Sequence, residues 1–371
     1  MNRLTRHTRS VTGLLAAGLV ALALTGTAHA QPSLLPPNIV TATSLSGDDL
    51  SAINKAIKPL VDALSGPADK LSDARKQLLS PLVAANNPSV PFRLRYAEEL
   101  SKALTPALSG TNQMAKINAL VIAGELGTAD AARLVNAARK DADPSVRFQA
   151  ADASRGILAT YVNSRGGTLL GDDDARNFVT ETAKSMTGEK DPLVLDALLG
   201  ALETALANAK LQDAAAKGLA DGANGVARTA AASAADLRLL EGLQRVCNTA
   251  VDLLNRQGQS MSAPARSSIA DFAASCLWHI RQAINGKAVP AGAGGATLRE
   301  SYARLAGSCE NIIILTATSL APTTKFTPKG LEANLKQGNN QGDAAFMASA
   351  NELIAAVTAQ PFVGIQASRY K

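Results

Sequence analysis

The sequence predicts an all-α fold of stacked helical hairpins, and three observations lead to this prediction. Apolar residues recur at intervals of three and four along most of the chain, which is the spacing of one helix face. No alternation with period two persists for more than a few residues, so strands are not expected. Aromatic residues make up only 3% of the chain while alanine is abundant, and small side chains let helices approach closely.

The first 30 residues have the three parts of a secretory signal peptide. Three arginines give a positive start, and Val11–Leu24 is an apolar stretch too short to span a membrane. Ala28-His29-Ala30 supplies the small residues of a cleavage site, so we expect export to the periplasm or the extracellular space and a mature chain that begins at Gln31. Cleavage lowers the net charge from +6 to +3, which predicts no nucleic-acid partner.

The next segment, residues 31–47, predicts a flexible N-terminal arm because it is rich in Pro, Ser and Thr and shows no period. Ser46 or Asp48 is placed to cap a helix that follows. A Ser-Gly-Pro sequence ends this helix, and a second helix is expected to continue to about Ala85.

The clearest unit of the chain is Asn112–Leu158, which divides into three helical pieces. Gly127 ends the first piece, since glycine tolerates the left-handed backbone that closes a helix. The second runs from about Ala129 to Lys140. The third begins at Asp143-Pro144, where aspartate can cap the helix and proline fits the first helical position. This third helix carries two apolar stripes, the second of which contains Phe148, so packing from two sides is expected.

The turn before this third helix resembles the turn of a HEAT-type repeat, and an alanine-rich helix follows it. The residues that carry the resemblance are Asp141, Asp143, Pro144, Val146 and Arg147. The match covers Ala129–Leu158, with weaker echoes near Pro88 and Pro192. The resemblance implies an irregular HEAT-like α-solenoid in which these five residues have a structural role in the turn.

The second half of the chain is expected to contain longer helices. A break is predicted at Gly222–Gly225, then one helix over Val226–Arg256 and two more that reach Leu320. The predicted organisation is a signal peptide at residues 1–30, a flexible arm at 31–47, HEAT-like helical repeats at 48–221, a long-helix bundle at 226–320, and a tail with one helix at 321–371.

Polar residues on the second helices of the repeats are the candidate binding residues, because the resemblance implies that these helices line the inner curve of the solenoid. They are Arg95, Glu99, Lys102, Gln149, Asp152, Asp196 and Glu203. Their alternating charge favours a protein or peptide partner over a polyanion. An ordinary solvated face shows the same pattern. No stable membrane span is predicted.

Residues suited to catalysis are sparse. His279 would be the one histidine left after cleavage, and it follows Cys276 by three residues, so the pair is either a Cys–His dyad or part of a packed helix layer. Asp172–Asp174 lacks the ligand spacing of a calcium loop and suits a helix start. Gly292–Gly295 lacks the strand and the lysine of a phosphate loop. We expect no enzyme activity, no cofactor and no metal.

The three cysteines are expected at one level of three neighbouring helices. The midpoint of Cys247 and Cys276 falls in a predicted break, and that of Cys276 and Cys309 falls in a predicted loop. Residues equidistant from the turn of a helical hairpin lie at the same level. In an oxidising compartment this favours a Cys247–Cys276 disulfide, with Cys276–Cys309 as the second choice. A Cys₃His metal site and three reduced, buried thiols are the other options.

The sequence therefore predicts an exported, non-enzymatic scaffold or protein- or peptide-binding protein with an extended helical-repeat surface. Two alternatives stay open. One is a structural envelope protein without a specific ligand, and the other is a Cys/His-dependent enzyme.

Overall fold

The protein is all-α in the computed structural model, which confirms the predicted fold class. The structure describes residues 34–83, 86–163, 169–230, 236–289, 296–323 and 326–370. Within these ranges all regular elements are helical, and none of the helices is long and apolar enough to cross a bilayer. The predicted signal peptide and the glycine-rich Gly292–Gly295 lie outside the described residues.

The bounds of the helices follow the chain order. The α-helices are α1 (Pro37–Val40), α2 (Gly47–Ala63), α3 (Ala68–Leu79), α4 (Val90–Ser109), α5 (Gln113–Leu126), α6 (Ala129–Ala138), α7 (Pro144–Asn163), α8 (Asp172–Met186), α9 (Pro192–Leu206), α10 (Gln212–Thr229), α11 (Leu237–Gln257), α12 (Ala263–Asn285), α13 (Ala296–Leu320), α14 (Leu331–Lys336) and α15 (Asn340–Val357). Short 3₁₀ turns occupy Ser80–Leu82 and Ala367–Tyr370.

From α2 to α13 the helices stack in two layers. Each even-numbered helix contacts the next even-numbered one, and each odd-numbered helix contacts the next odd-numbered one. Contacts between consecutive helices join the two layers, and α14 and α15 pack against α13 and α12 at the end of the stack. A fold in which each element contacts only near neighbours along the chain is the arrangement of helical-repeat proteins.

The prediction of a flexible arm is wrong from residue 34 onward. Leu35, Ile39 and Val40 are buried, and α1 forms within this segment. The backbone N–H of Ser89, at the start of α4, donates to the Val40 carbonyl at 3.0 Å. The burial of these residues and the contact of α1 with α4 anchor a segment whose composition otherwise resembles a linker.

The helix break predicted at Gly222 and Gly225 is also wrong, because α10 continues through both residues. Together with Gly218 they face α8. A β-carbon on Gly222 would lie 2.9 Å from the Ala183 carbonyl oxygen, and one on Gly225 would lie 2.5 Å from Thr187 Oγ1. The glycines let two helices approach closely instead of ending one of them.

The structure also differs from the prediction in the helix that follows this segment and in the number of helices in the tail. The single helix predicted over Val226–Arg256 is the end of α10 and the whole of α11, which begins at Leu237. The tail contains two α-helices, α14 and α15, where one was predicted. The short α14 escaped prediction because six residues show too little periodicity to be recognised.

The described C-terminal residues are held against α12 by a buried polar cluster around Asp271. Its Oδ2 atom accepts hydrogen bonds from Asn224 of α10, at 2.6 Å, and from the guanidinium of Arg369. Its Oδ1 atom accepts the hydroxyl of Tyr370. Ser275 completes the cluster by donating to Asn224 Oδ1 at 2.6 Å. The described residues up to Tyr370 are therefore part of the packed fold.

Candidate binding surface at the turn edge

The N-terminal ends of α5, α7 and α9 lie side by side along one edge of the odd-numbered layer. Gln113, at the start of α5, donates from Nε2 to Asp143 Oδ2 and to Ser145 Oγ, both at 2.7 Å. Arg147, in the first turn of α7, reaches Glu189 just before α9. We name this surface the turn edge and define it as residues 112–114, 139–148 and 184–193.

Two aspartates shape the turn that leads into α7. Asp141 accepts the backbone N–H of Asp143 at 2.9 Å and forms an ion pair with Lys116 at 2.6 Å. Asp143 accepts the backbone N–H of Ser145 at 2.8 Å, and the helix begins between them at Pro144. Burial pushes the pKa of Asp141 up, but hydrogen bonds from Lys116 and the Asp143 amide outweigh burial and leave the pKa lowered. Val146, the fourth residue of the HEAT-like pattern, is buried in the helix stack.

Arg147 connects this turn to the following one. Its Nε and Nη2 atoms donate to the two carboxylate oxygens of Glu189 at 2.7 and 2.9 Å, and its Nη1 atom donates to the carbonyls of Asp141 and Ala142 at 3.0 Å. The side chains are only 20% and 6% exposed. Burial acts to raise the pKa of Glu189, yet hydrogen bonds from Arg147 and two backbone amides lower it overall. This bidentate pair fixes the relative position of the two turns.

A cavity of about 480 Å³ opens between these two turns and carries an excess of positive charge. The cations that line it are Arg139, Lys140, Arg147, Lys184 and Lys190. Against them stand two carboxylates, of which Glu189 pairs with Arg147, and Glu181 pairs with Lys184 at 2.7 Å. The other three cations have no carboxylate within ion-pair distance among the described residues.

Arg139 is the buried cation of this cavity, with 6% of its surface exposed. Its guanidinium contacts neutral oxygens: Nη1 donates to Ser154 Oγ at 2.9 Å and to Thr182 Oγ1, and Nη2 donates to Asn136 Oδ1. The guanidinium carbon lies 5.0 Å from the centroid of the Phe178 ring. The Nε atom is buried and has no hydrogen-bond partner. Burial lowers the pKa of Arg139 to about 10, so the side chain is still a cation at neutral pH.

Large apolar side chains stand exposed on the same edge. Met114 is 49% exposed, Phe148 41% and Leu193 60%, and each lies within the first five residues of its helix. The expectation that Phe148 packs in a buried stripe is therefore wrong. Exposed apolar side chains grouped on one surface mark interaction sites.

The seven binding residues predicted from the sequence do not share one surface. Arg95, Glu99 and Lys102 lie on α4 in the even-numbered layer, whereas the other four lie on α7 and α9 in the odd-numbered layer. Two helices separate α4 from α7 in chain order, so the layer changes between them. A single continuous face through all seven, as the resemblance implied, is not formed.

The α4 group forms its own charged cluster beside α2. Lys102 forms ion pairs with Glu98 and Glu99 at 2.8 Å, and Arg95 pairs with Glu98 at 2.6 Å. Asn54 of α2 donates to Glu99 at 2.8 Å. Glu99 and Lys102 also line a second cavity of about 550 Å³ between α2 and α4.

The acidic residues on α9 are engaged within the fold. Arg245 of α11 forms ion pairs with both Asp196 and Glu203. On α7, Asp152 pairs with Arg155 of its own helix at 2.6 Å, and Gln149 lies half-buried beside them in sequence. The two α9 acids therefore join α9 to α11, and the charge of Asp152 is paired within its own helix.

The three cysteines meet in the core, at the common level expected from the sequence. All three are free, buried thiols, so the predicted Cys247–Cys276 disulfide is not formed in the structure. The sulfur atoms of Cys247 and Cys309 are 3.9 Å apart, and Cys276 also hydrogen-bonds with Cys309. The sequence argument assumed that α11 packs on α12, but α11 packs mainly on α13, its neighbour in the odd-numbered layer. Burial raises the pKa of each thiol.

The proposed Cys–His dyad is not assembled by the contacts of the structure. His279 is buried, hydrogen-bonds to the backbone of Ala227, and stacks with Tyr302 at a centroid distance of 6.4 Å. Burial lowers the pKa of His279. The thiol of Cys276 contacts Cys309 instead. In the described part of the chain, no group of three or more His, Cys, Asp or Glu residues is arranged to hold a metal ion.

Comparison with known proteins assigns no family to the chain. No family model matches it, and no curated protein sequence matches it. Among solved structures it is similar to two engineered proteins determined by the Northeast Structural Genomics Consortium. Both are 14% identical to it. The first match covers 90% of this chain and 95% of that one at a TM-score of 0.24, and the second covers 76% and 96% at 0.21.

Several residues of the turn edge could not be identified from the sequence. Lys140 and Lys190 are lysines of helix-connecting turns, where a charged residue is ordinarily only solvated. Arg139 gives no sequence signal of burial. Only the packing of α6 and α7 against α8 and α9 places these cations around one cavity.

Proposed function

We propose that this protein is an exported, non-enzymatic scaffold that binds another protein or a peptide, and that the turn edge is its binding surface. The observation that carries the proposal is the combination of exposed Met114, Phe148 and Leu193 with a cation-rich cavity on one edge. An apolar patch beside unpaired charges is the composition of a protein-binding surface. The HEAT-like turn over Asp141–Arg147 supports the same role, because helical-repeat proteins use extended surfaces to bind partners.

The state of Cys276, the candidate nucleophile, supports a non-enzymatic role. A reactive cysteine needs an accessible thiol with a low pKa. Cys276 has neither property, since it is fully buried and burial raises its pKa. His279, the candidate base, makes its contacts elsewhere.

Export rests on residues 1–30, whose charged start, apolar core and small-residue ending fit a signal peptide. We propose cleavage after Ala30 and delivery to the periplasm or the extracellular space. N-terminal sequencing of the protein from its native host should begin at Gln31-Pro32. Recovery of the uncleaved chain from the cytoplasm would overturn this part of the proposal.

The binding surface is tested by capture from an envelope extract with matched variants. A Phe148→Glu/Leu193→Glu variant places charge on the turn edge, and a Val83→Glu/Val363→Glu variant changes two equally exposed apolar residues elsewhere. We expect the wild type and the second variant to retain the same partner and the first variant to lose it. Equal retention by all three would contradict the proposal and favour a structural envelope protein without a specific ligand.

A further inference from the structure

We propose that the cavity of the turn edge binds the carboxylates of an acidic peptide segment, with Lys140 and Lys190 at its rim and Arg139 in its wall. The inference rests on the proposed function, because it names the chemistry of the partner that the same surface would bind. Three observations carry it, which concern the charge balance of the cavity, the state of Arg139 and the composition of the edge around it.

The charge balance of the cavity is positive after its internal ion pairs are counted. Arg147 is neutralised by Glu189 and Lys184 by Glu181, which leaves Arg139, Lys140 and Lys190 without a carboxylate partner among the described residues. Two of these cations, Arg139 and Lys140, also affect the pKa of Glu181. The hydrogen bond from Lys184 lowers the pKa of Glu181 against the effect of burial, and the charges of Arg139 and Lys140 lower it further.

Arg139 keeps its positive charge although it is buried and has no carboxylate partner among the described residues. A buried cation without a carboxylate is costly unless it is paired or binds a ligand. Its Nη atoms donate to three neutral oxygens, and its buried Nε atom has no partner. An anion in the cavity would supply the missing negative charge at short range, where the low dielectric of the protein strengthens the attraction.

The placement of the lining cations favours several carboxylates on a peptide over a single phosphate group. The free lysines come from two different turns, which suits several carboxylates spaced along a peptide. Phe148 directly follows Arg147 in the chain, and Leu193 lies three residues after Lys190, so apolar side chains between the acids would find apolar contacts beside the cavity.

The inference is tested with a fluorescein-labelled peptide, Leu-Glu-Glu-Leu-Asp-Glu, and its uncharged counterpart, Leu-Gln-Gln-Leu-Asn-Gln. We expect the purified protein to bind the acidic peptide in fluorescence anisotropy and to bind the uncharged peptide at least about tenfold more weakly. Lys140→Met/Lys190→Met should reduce the affinity about tenfold, a loss of about 1.4 kcal/mol. Lys55→Met/Lys76→Met, which removes the same charge from exposed lysines outside the cavity, should leave it unchanged.

Arg139→Met separates a binding role from a structural one. The loss of the charge should reduce the affinity for the acidic peptide about tenfold or more, and thermal denaturation measures separately how far the loss of its three hydrogen bonds destabilises the fold. A lowered melting temperature with unchanged affinity would assign Arg139 to the fold alone and remove it from the site. Arg133→Met, on the same helix but in an exposed ion pair with Asp130, is the matched control.

The possible results discriminate between the two proposals. Equal binding of the acidic and uncharged peptides, or binding unaffected by the Lys140→Met/Lys190→Met change, would overturn the carboxylate site. If inorganic phosphate binds, as measured by isothermal titration calorimetry, while the acidic peptide does not, the site is a phosphate site and the inference is also overturned. In either case the scaffold proposal still stands if the Phe148→Glu/Leu193→Glu variant loses its captured partner, and it fails only if capture is unaffected as well.

Discussion

At the scale of single residues, Glu189 shows how one carboxylate can join two turns of the stack. Its folded-state pKa is lowered from the ordinary value of 4.5. The ion pair with Arg147 therefore stabilises the fold above the ordinary pKa, and this contribution is lost as the pH falls through the lower folded-state value. We expect Glu189→Gln to reduce the free energy of unfolding by about 1–3 kcal/mol at pH 7 and by less at an acid pH, where the Glu189 carboxylate becomes protonated.

Chemical denaturation at the two pH values measures this difference. Asp152→Asn is the control, since the Asp152–Arg155 pair is exposed and its loss should cost less than about 1 kcal/mol. A Glu189→Gln effect that is the same at both pH values would show that the pair contributes through shape and not through charge.

The number of free thiols in the protein tests whether two of the three cysteines form a disulfide. Their thiols are buried, and burial raises the pKa of each, so none should react with a thiol reagent in the native protein. After denaturation without reductant, three thiols should be titrated. A count of one would show that the protein carries a disulfide, and peptide mapping would then identify which two of the three cysteines form it.

Local features of the turn were predictable from the sequence, while its long-range partners were not. Asp143 and Pro144 begin α7 as their capping preferences indicate. The acid that binds Arg147 is Glu189, which lies 42 residues away and just before the weaker echo at Pro192. That echo does not indicate that the two residues pair. The same limit applies to Lys140 and Lys190, whose common cavity exists only after the helices have packed.

At the scale of helices, several glycines lie where neighbouring helices approach each other closely. A β-carbon on Gly156 of α7 would lie 2.8 Å from the carbonyl oxygen of Gly124 in α5. We expect Gly156→Ala to lower the free energy of unfolding by about 1–2 kcal/mol, because overpacking outweighs the gain in helix propensity. Gly242→Ala in α11 has no neighbour within 4 Å and should instead raise it by about 0.5–1 kcal/mol. Thermal denaturation of both variants checks the opposite signs, and equal signs would contradict this contact.

Close contact between helices at glycine also explains why the helix break predicted at Gly222–Gly225 was wrong. A glycine interrupts a helical pattern in the sequence whether it ends the helix or faces a neighbour. At Gly127 the positive φ of 62° ends α5, as predicted. At Gly222 the helix continues because Ala183 and Met186 of α8 lie against it. Deciding between the two requires knowledge of the packing partner, which periodicity does not contain.

At the scale of the whole molecule, the fold class followed from periodicity, but the arrangement of surfaces depended on counting helices correctly. The HEAT-like resemblance treated α4, α7 and α9 as equivalent helices. Because α5 and α6 both intervene, α4 lies in the other layer, and the predicted continuous face through Arg95, Gln149 and Asp196 is divided. Because successive helices alternate between the two layers, a miscount of one helix moves every later helix to the other layer. A small error in helix number therefore assigns many residues to the wrong surface.

The cluster around Asp271 joins parts of the chain that are distant in sequence. Asp271 of α12 is buried and joins Asn224 of α10 to Arg369 and Tyr370, about a hundred residues further along. Removing the chain after Ser368 deletes its cationic partner and the phenol that covers it. We expect a loss of about 2–4 kcal/mol in the free energy of unfolding, because a largely buried carboxylate is left without its cation.

An Asp271→Asn background shows whether the charge is responsible for this loss. The same truncation should cost clearly less there, since no buried negative charge remains to be neutralised. The measurement is the denaturant midpoint of the four proteins in this cycle, followed by circular dichroism. An unchanged midpoint for the truncated wild type would show that the chain end is not anchored on α12. An equal loss in both backgrounds would assign the stabilisation to the packing of Tyr370, because only the charge-dependent part of the loss can disappear with Asp271.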